Sequence, residues 1–278
     1  MLSPSVLAVV LLAAALHAGW NVAVRAGSDR RREAALLLGG GTLIGILVLP
    51  FLPLPPPSCW PYLLVSAVLN GVFFIMIAEA YAHGGIALAY PLMRGVAPMI
   101  TMLGSWLLLG EGLPMAGGIG IATICLGVIM LARRRGDAGE AIAVRFALLN
   151  AVVIAAYTMN DAVGVRIAQT PLAYALWLYP LSGTPTLLWL GRKTPLRWPS
   201  APEAARGVAG AGASIGAYSL VLWAMTQAPV APVAALRETS ILLGVVLARL
   251  FLGERPGPRG WCGSATIAAG AAILRLAA

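Results

Sequence analysis

Most of the charge in this chain clusters in short breaks between long apolar runs, and that pattern limits the available folds more than any other feature. The runs last about 18–25 residues, and a helix needs about 20 to cross a hydrocarbon core of roughly 30 Å. Ten candidate helices fit between the breaks, at 3–24, 34–52, 60–82, 86–109, 114–132, 142–166, 172–190, 206–226, 230–252 and 257–276. Pro53 to Pro57, Pro114, Pro256 and Pro258 punctuate their ends. In lipid only helices and closed barrels satisfy their own backbone, and the sequence has no alternating strand pattern. The expectation is an all-α integral membrane protein with ten transmembrane helices.

Composition agrees. The chain is 60% apolar and 10% charged, where a soluble domain carries about 25% charged residues. A soluble enzyme, a nucleic-acid-binding domain and a disulfide-stapled secreted domain are thereby excluded. The net charge of +9 is explained by arginine-rich cytoplasmic loops rather than by nucleic acid. Cys59, Cys125 and Cys262 lie far apart, so free thiols and no metal site are expected. The first apolar run lacks a preceding basic region and continues well beyond the roughly 7–15 apolar residues of a signal peptide, so it is not expected to be one.

The basic residues set an orientation. Fourteen fall at the connections after helices 1, 5, 7 and 9: Arg25, Arg30–Arg32, Arg133–Arg135, Arg145, Arg192, Lys193, Arg197, Arg206, Arg255 and Arg259. Only Arg166 and Arg275 fall on the opposite side. The positive-inside rule then places both termini outside a cell inner membrane and the arginine-rich turns in the cytoplasm.

The chain also repeats itself. A shift of 143 residues lays Arg94 on Arg237, Gly110-Glu111 on Gly253-Glu254, Gly117 on Gly260 and Gly127 on Gly270. Near the start, a shift of 141 lays Val24-Arg25 on Val165-Arg166. Two five-helix repeats follow, over 1–135 and 141–278. Because five is odd, the second repeat is inverted in the membrane, an arrangement common in secondary transporters, whose substrate sites lie between the halves.

The ten-helix plan, Leu-Gly-Glu at 109–111 and 252–254, and the glycine-spaced fifth and tenth helices resemble the EamA-type drug/metabolite transporters. His17-Ala18-Gly19-Trp20-Asn21 looks like one subgroup of that family. In Glu79-Ala80-Tyr81-Ala82-His83, Tyr81 matches the family pattern and His83 departs from it. The resemblance implies export of amino acids, nucleotide precursors, drugs or other small metabolites without ATP. It does not fix a substrate.

Ionisable groups inside a bilayer cost about 2.5–3.5 kcal/mol each at the helix centre, so each needs a reason. Glu79, Arg94, Asp161, Arg237 and Glu238 are the candidates, with His17, Asn21 and Asn160 as polar neighbours. Arg94 falls roughly 12 Å from the basic end of its helix and Arg237 roughly 10 Å from the opposite end, by helical rise. Depth groups Glu79 and His17 with Arg94, and Asp161 and Asn160 with Arg237. These would be two clusters on opposite sides of the midplane. Arg94, Arg237, Asn21 and Asn160 are candidate substrate contacts; Glu79, Asp161, His17 and Glu238 are candidates for coupling or gating, with a proton as the coupling ion. The competing reading has each arginine tying its helix to Glu79 or Asp161. Glu238 follows Arg237 directly, so it points away from it and needs another partner.

Tyr81, Tyr90, Tyr157 and Trp177 are candidate aromatic contacts for substrate, whereas Trp60, Trp189, Trp198 and Trp261 read as an interfacial belt. Glu111 and Glu254 each precede a proline-started helix and are expected to complement its positive terminus. The glycines at 117, 120 and 127, and at 260, 263 and 270, are expected to allow close helix packing. Pro91, Pro98, Pro229 and Pro232 are hinges or stable kinks. The sequence has no H-E-x-x-H, paired-cysteine or nucleophile signature and no phosphate-binding loop. A transporter without cofactor is therefore favoured over a membrane enzyme or a scaffold, with a small molecule and the lipid bilayer as its partners.

Overall fold

The computed structural model describes residues 2–25, 30–132, 139–193, 198–252 and 257–277. Helices fill them, with no strand among the described residues. In chain order these are α1 (Pro4–Arg25), α2 (Arg30–Val48), α3 (Trp60–Gly84), α4 (Ile86–Leu109), α5 (Met115–Met130), α6 (Glu140–Ala168), α7 (Pro171–Leu178), α8 (Thr184–Lys193), α9 (Ala201–Gln227), α10 (Val230–Arg237), α11 (Thr239–Leu252) and α12 (Pro258–Leu276). Among the described residues, six stretches are long and apolar enough to cross a membrane: Pro4–Asn21, Pro57–His83, Ala87–Leu109, Glu140–Ala168, Ala201–Gln227 and Val230–Phe251. Shorter apolar helices occupy Ala35–Phe51 and Met115–Met130. The side chains of Arg25, Arg30 and Arg31, and residues 133–135, 197 and 253–255, on which part of the charge pattern rests, lie outside the described residues.

Two helices expected to be continuous are not. The seventh is divided into α7 and α8 by a π-helical turn at Tyr179–Gly183. Pro180 lies in this turn, and a proline has no N–H to continue the α-helical ladder. The Tyr179 ring takes the place that a side chain at Gly41 of α2 would occupy. The ninth is divided into α10 and α11 at Glu238, which ends α10 in a tighter turn, its N–H donating to the Ala235 carbonyl.

The duplication is visible in the packing. α3 lies along α6, and the equivalent pair, α9 and α1, lies together in the same way. α4 packs on α6 as α11 and α10 pack on α1. α5 packs along α12, one helix from each repeat, and there the glycines act as expected. A Cβ at Gly120 would lie 2.8 Å from the Leu274 nitrogen, and one at Gly127 2.7 Å from the Ile267 nitrogen. The mates behave alike: a Cβ at Gly263 would come within 2.8 Å of the Gly127 carbonyl, and one at Gly270 within 2.6 Å of the Ile124 nitrogen. Backbone thus meets backbone at four equivalent points. Gly117 takes no part, since a Cβ there would meet only Pro114 and Leu113 at ordinary distances.

The main core runs toward the end that holds the chain termini, here called the terminal end. It joins Leu2 and Val6 of the N-terminus to Val128, Met225, Leu274 and the apolar side chains of α10 from Val230 to Leu236 other than Pro232. At the other, basic end, ion pairs hold α2 to α9. Arg32 grips Glu203 with Nε and a terminal nitrogen at 2.8 and 2.9 Å, and Arg206 reaches Glu33 at 3.4 Å.

Candidate functional site

α4 carries Arg94 between two prolines, Pro91 and Pro98, and remains helical through both. α10 ends on Arg237, and Glu238 occupies the step to α11. Arg94 Nε lies 2.9 Å from Glu238 Oε2, and both side chains are almost wholly buried. This answers what Glu238 pairs with. It also counts against the competing reading in which Arg94 is tied to Glu79, since Glu79 is about half exposed and lies 4.0 Å from His83 near the end of α3.

Arg237 is buried as well, yet its Nε has no hydrogen-bond partner, and among the described residues no carboxylate forms an ion pair with it. Arg94 retains buried donors without hydrogen bonds, as does the indole Nε1 of Trp20. Both arginines act electrostatically on His17 and on Tyr90. Tyr157 acts on Tyr90 and Arg94. The two arginines were expected in separate clusters on opposite sides of the midplane. Because α10 stops at Arg237 and hands Glu238 across to α4, they share one. Its charged groups are two guanidiniums and one carboxylate.

A second polar group lies beside it. Asp161 of α6 is fully buried and accepts hydrogen bonds from the hydroxyls of Ser66 on α3, Tyr174 on α7 and Tyr218 on α9. Asn160 donates to the Tyr62 carbonyl at 2.7 Å and to Ser66 Oγ at 2.8 Å. Four helices are tied at this knot. Three O–H donors suit an ionised carboxylate, which only accepts.

The remaining candidates fall in several places. Asn21 donates to its own helix, at the His17 carbonyl, and His17 meets Trp20 edge to face. Tyr157 packs edge to face on Phe73, in a cluster that Tyr81 also joins. Trp177 is set against Trp60, centroids 4.9 Å apart, in the cluster around Tyr174 and away from the arginines. A groove of about 520 Å³ lies elsewhere again, between α4 and α5, lined by Met102, Trp106, Leu113 and Ile119.

Glu111 does complement a helix terminus, but not the expected one. Its Oε2 accepts the Val230 N–H at the start of α10, at 2.7 Å, while Oε1 meets Arg166 at 2.7 Å. Its mate Glu254 lies outside the described residues. Sequence reading also passed over Tyr174, Tyr218 and Ser66, ordinary hydroxyl residues whose spacing gives no sign of a shared carboxylate. Thr158, whose buried hydroxyl is unpartnered, had one signal: the 141-residue shift lays it on His17.

Comparison with known proteins agrees with this architecture. One solved structure, described only as "Crystal structure of protein", superposes with a TM-score of 0.79 at 19% identity, covering 98% of this chain and 96% of that one. At that identity it speaks for the fold. No curated protein matches the chain. A family model does, twice, over residues 4–133 and 141–276, one match for each repeat. The chain belongs to the EamA-like transporter family.

Proposed function

We propose that the chain is a secondary-active exporter of a small metabolite with an anionic group, amino-acid-like in character, and that it works by alternating access between two inverted five-helix repeats. In this reading all ten helices cross a cell inner membrane, with both termini external. The observation that carries it is the unequal charge at the centre: Glu238 forms an ion pair with Arg94, whereas Arg237 is buried with no carboxylate at ion-pair distance among the described residues, Glu238 and Asp161 acting on it only from further off. A buried guanidinium is a planar, permanently charged fork that fits a carboxylate or phosphate. Its desolvation is a large cost unless an anion joins it. Tyr90, Tyr157 and His17 lie within electrostatic reach of the arginines, and Trp20 packs on His17, supplying aromatic groups suited to the rest of such a molecule.

The test is flux into proteoliposomes, with and without a proton gradient, using a panel of amino acids, other small carboxylates and their decarboxylated analogues. The reading expects transport of an acidic-group substrate, and Arg237→Gln to lose affinity for that group while inserting normally. Unchanged apparent affinity in Arg237→Gln overturns it. Proton linkage is part of the proposal through Asp161 or Glu79. If Asp161→Asn and Glu79→Gln both keep the wild-type pH dependence of net flux, that part is wrong.

A further inference from the structure

The α9–α10 turn poses a problem in backbone chemistry. The last carbonyls of a helix have no partner within it, and the sequence Ala228-Pro229-Val230-Ala231-Pro232 removes two of the N–H groups that might have served them. Pro229 and Pro232 stand four residues after Met225 and Ala228. Arg166 of α6 supplies what is missing. Its Nε donates to the Met225 carbonyl at 2.8 Å and a terminal nitrogen to the Ala228 carbonyl at 3.2 Å. The same guanidinium meets Glu111 Oε1 at 2.7 Å, and Glu111 Oε2 takes the Val230 N–H. Two side chains therefore clasp four elements: the α4–α5 connection, α6, the end of α9 and the start of α10.

The clasp lies at the terminal end, where α10 is buried along its whole length. The same eight-residue helix ends at Arg237. In the equivalent turn of the first repeat, between α3 and α4, the mates of Arg166 and Glu111 would be the Arg25 side chain and Glu254, which lie outside the described residues. That turn is made at Gly85, at φ +71°, and the Gly85 N–H is satisfied by the Tyr81 carbonyl.

We infer that Glu111 and Arg166 form a latch that holds the terminal end shut by fixing the start of α10, and that this latch must part when that end opens. The inference rests on the alternating-access reading above. It predicts that weakening the latch shifts the population toward a state open at the terminal end.

Spin labels at Gly112→Cys and Gln227→Cys, both exposed positions flanking the clasp, report the gap directly. The exposed Cys262 is replaced by serine, and Cys59 and Cys125 are left in place because they are buried. In the full-length protein in lipid, the unmodified latch is expected to give one short distance. Glu111→Gln keeps an acceptor for Val230 but loses the ion pair; it should add a population longer by roughly 5 Å or more. Arg166→Lys keeps the charge but cannot bridge both carbonyls and the carboxylate, and it should do the same. Arg32→Gln, which breaks an ion pair at the opposite end, should leave the distance alone. A single short distance in both latch variants, whatever their thermal stability, overturns the inference, as does an equal shift in Arg32→Gln. Absence of transport by the wild type would refute the transporter reading instead, and the distances would still judge the latch.

Discussion

Arg94 and Arg237 occupy equivalent positions in a duplicated sequence, and their next residues part company. In the first repeat the next residue is Gly95, within an unbroken helix; in the second it is Glu238, at the break between α10 and α11. Glycine suits position 95 because a Cβ there would come 2.7 Å from Ile129 Cγ1 and 3.1 Å from the Cys125 carbonyl. The second repeat has room at this step for a carboxylate, and that carboxylate turns to the first repeat's arginine. Duplication supplies a symmetric frame. The charge within it is asymmetric, with one arginine in an ion pair and the other, among the described residues, without one.

The largest expected effect tests that asymmetry on stability. Arg94→Gln strands Glu238 in the core and should cost about 3–5 kcal/mol, whereas Arg237→Gln strands no carboxylate and should cost less than about 1 kcal/mol. Thermal unfolding of the purified variants measures both, and equal losses would erase the distinction. Next, Arg94→Gln combined with Glu238→Gln should recover most of the loss, because both buried charges go together. A double variant as unstable as the single one would mean that Arg94 contributes through packing instead. Smaller again is Gly127→Ala at the symmetric α5–α12 contact, expected to cost about 1–3 kcal/mol as two backbones are forced apart. Gly270→Ala should match it, and a marked difference would show that the contact is less symmetric than its geometry. The smallest effect belongs to Glu79→Gln, within about 0.5 kcal/mol of wild type, since this carboxylate is about half exposed and lies 4.0 Å from His83.

The frame was legible in the sequence because its determinants are local. Apolar runs mark helices, and glycines at matching positions mark a backbone contact that needs no knowledge of neighbouring side chains. The need of Glu238 for a partner was legible too, since adjacent residues on a helix point apart. Its partner was not. Depth along a helix put Glu79 level with Arg94 but carried no information on which helices are neighbours. For the same reason Asp161 could be marked as a buried carboxylate while its three hydroxyls, from α3, α7 and α9, could not be found. Pro229 and Pro232 were readable as breaks; that their unserved carbonyls belong to Arg166 emerges only when α6 lies against α9.

The exchange of helices between the repeats has a consequence for biosynthesis. The main neighbours of α1 are α9 and α11, those of α6 are α3 and α4, and α5 meets α12. Neither repeat closes on itself. At roughly 5–20 residues per second, the glycine face of α5 waits several seconds after synthesis for the helix that covers it, which is the last described helix of the chain. Until then α1, α3 and α5 lack their principal contacts, so a product ending after the first repeat has no finished core to protect it from quality control. Unlike a pair of fused domains, the two repeats mature as one unit.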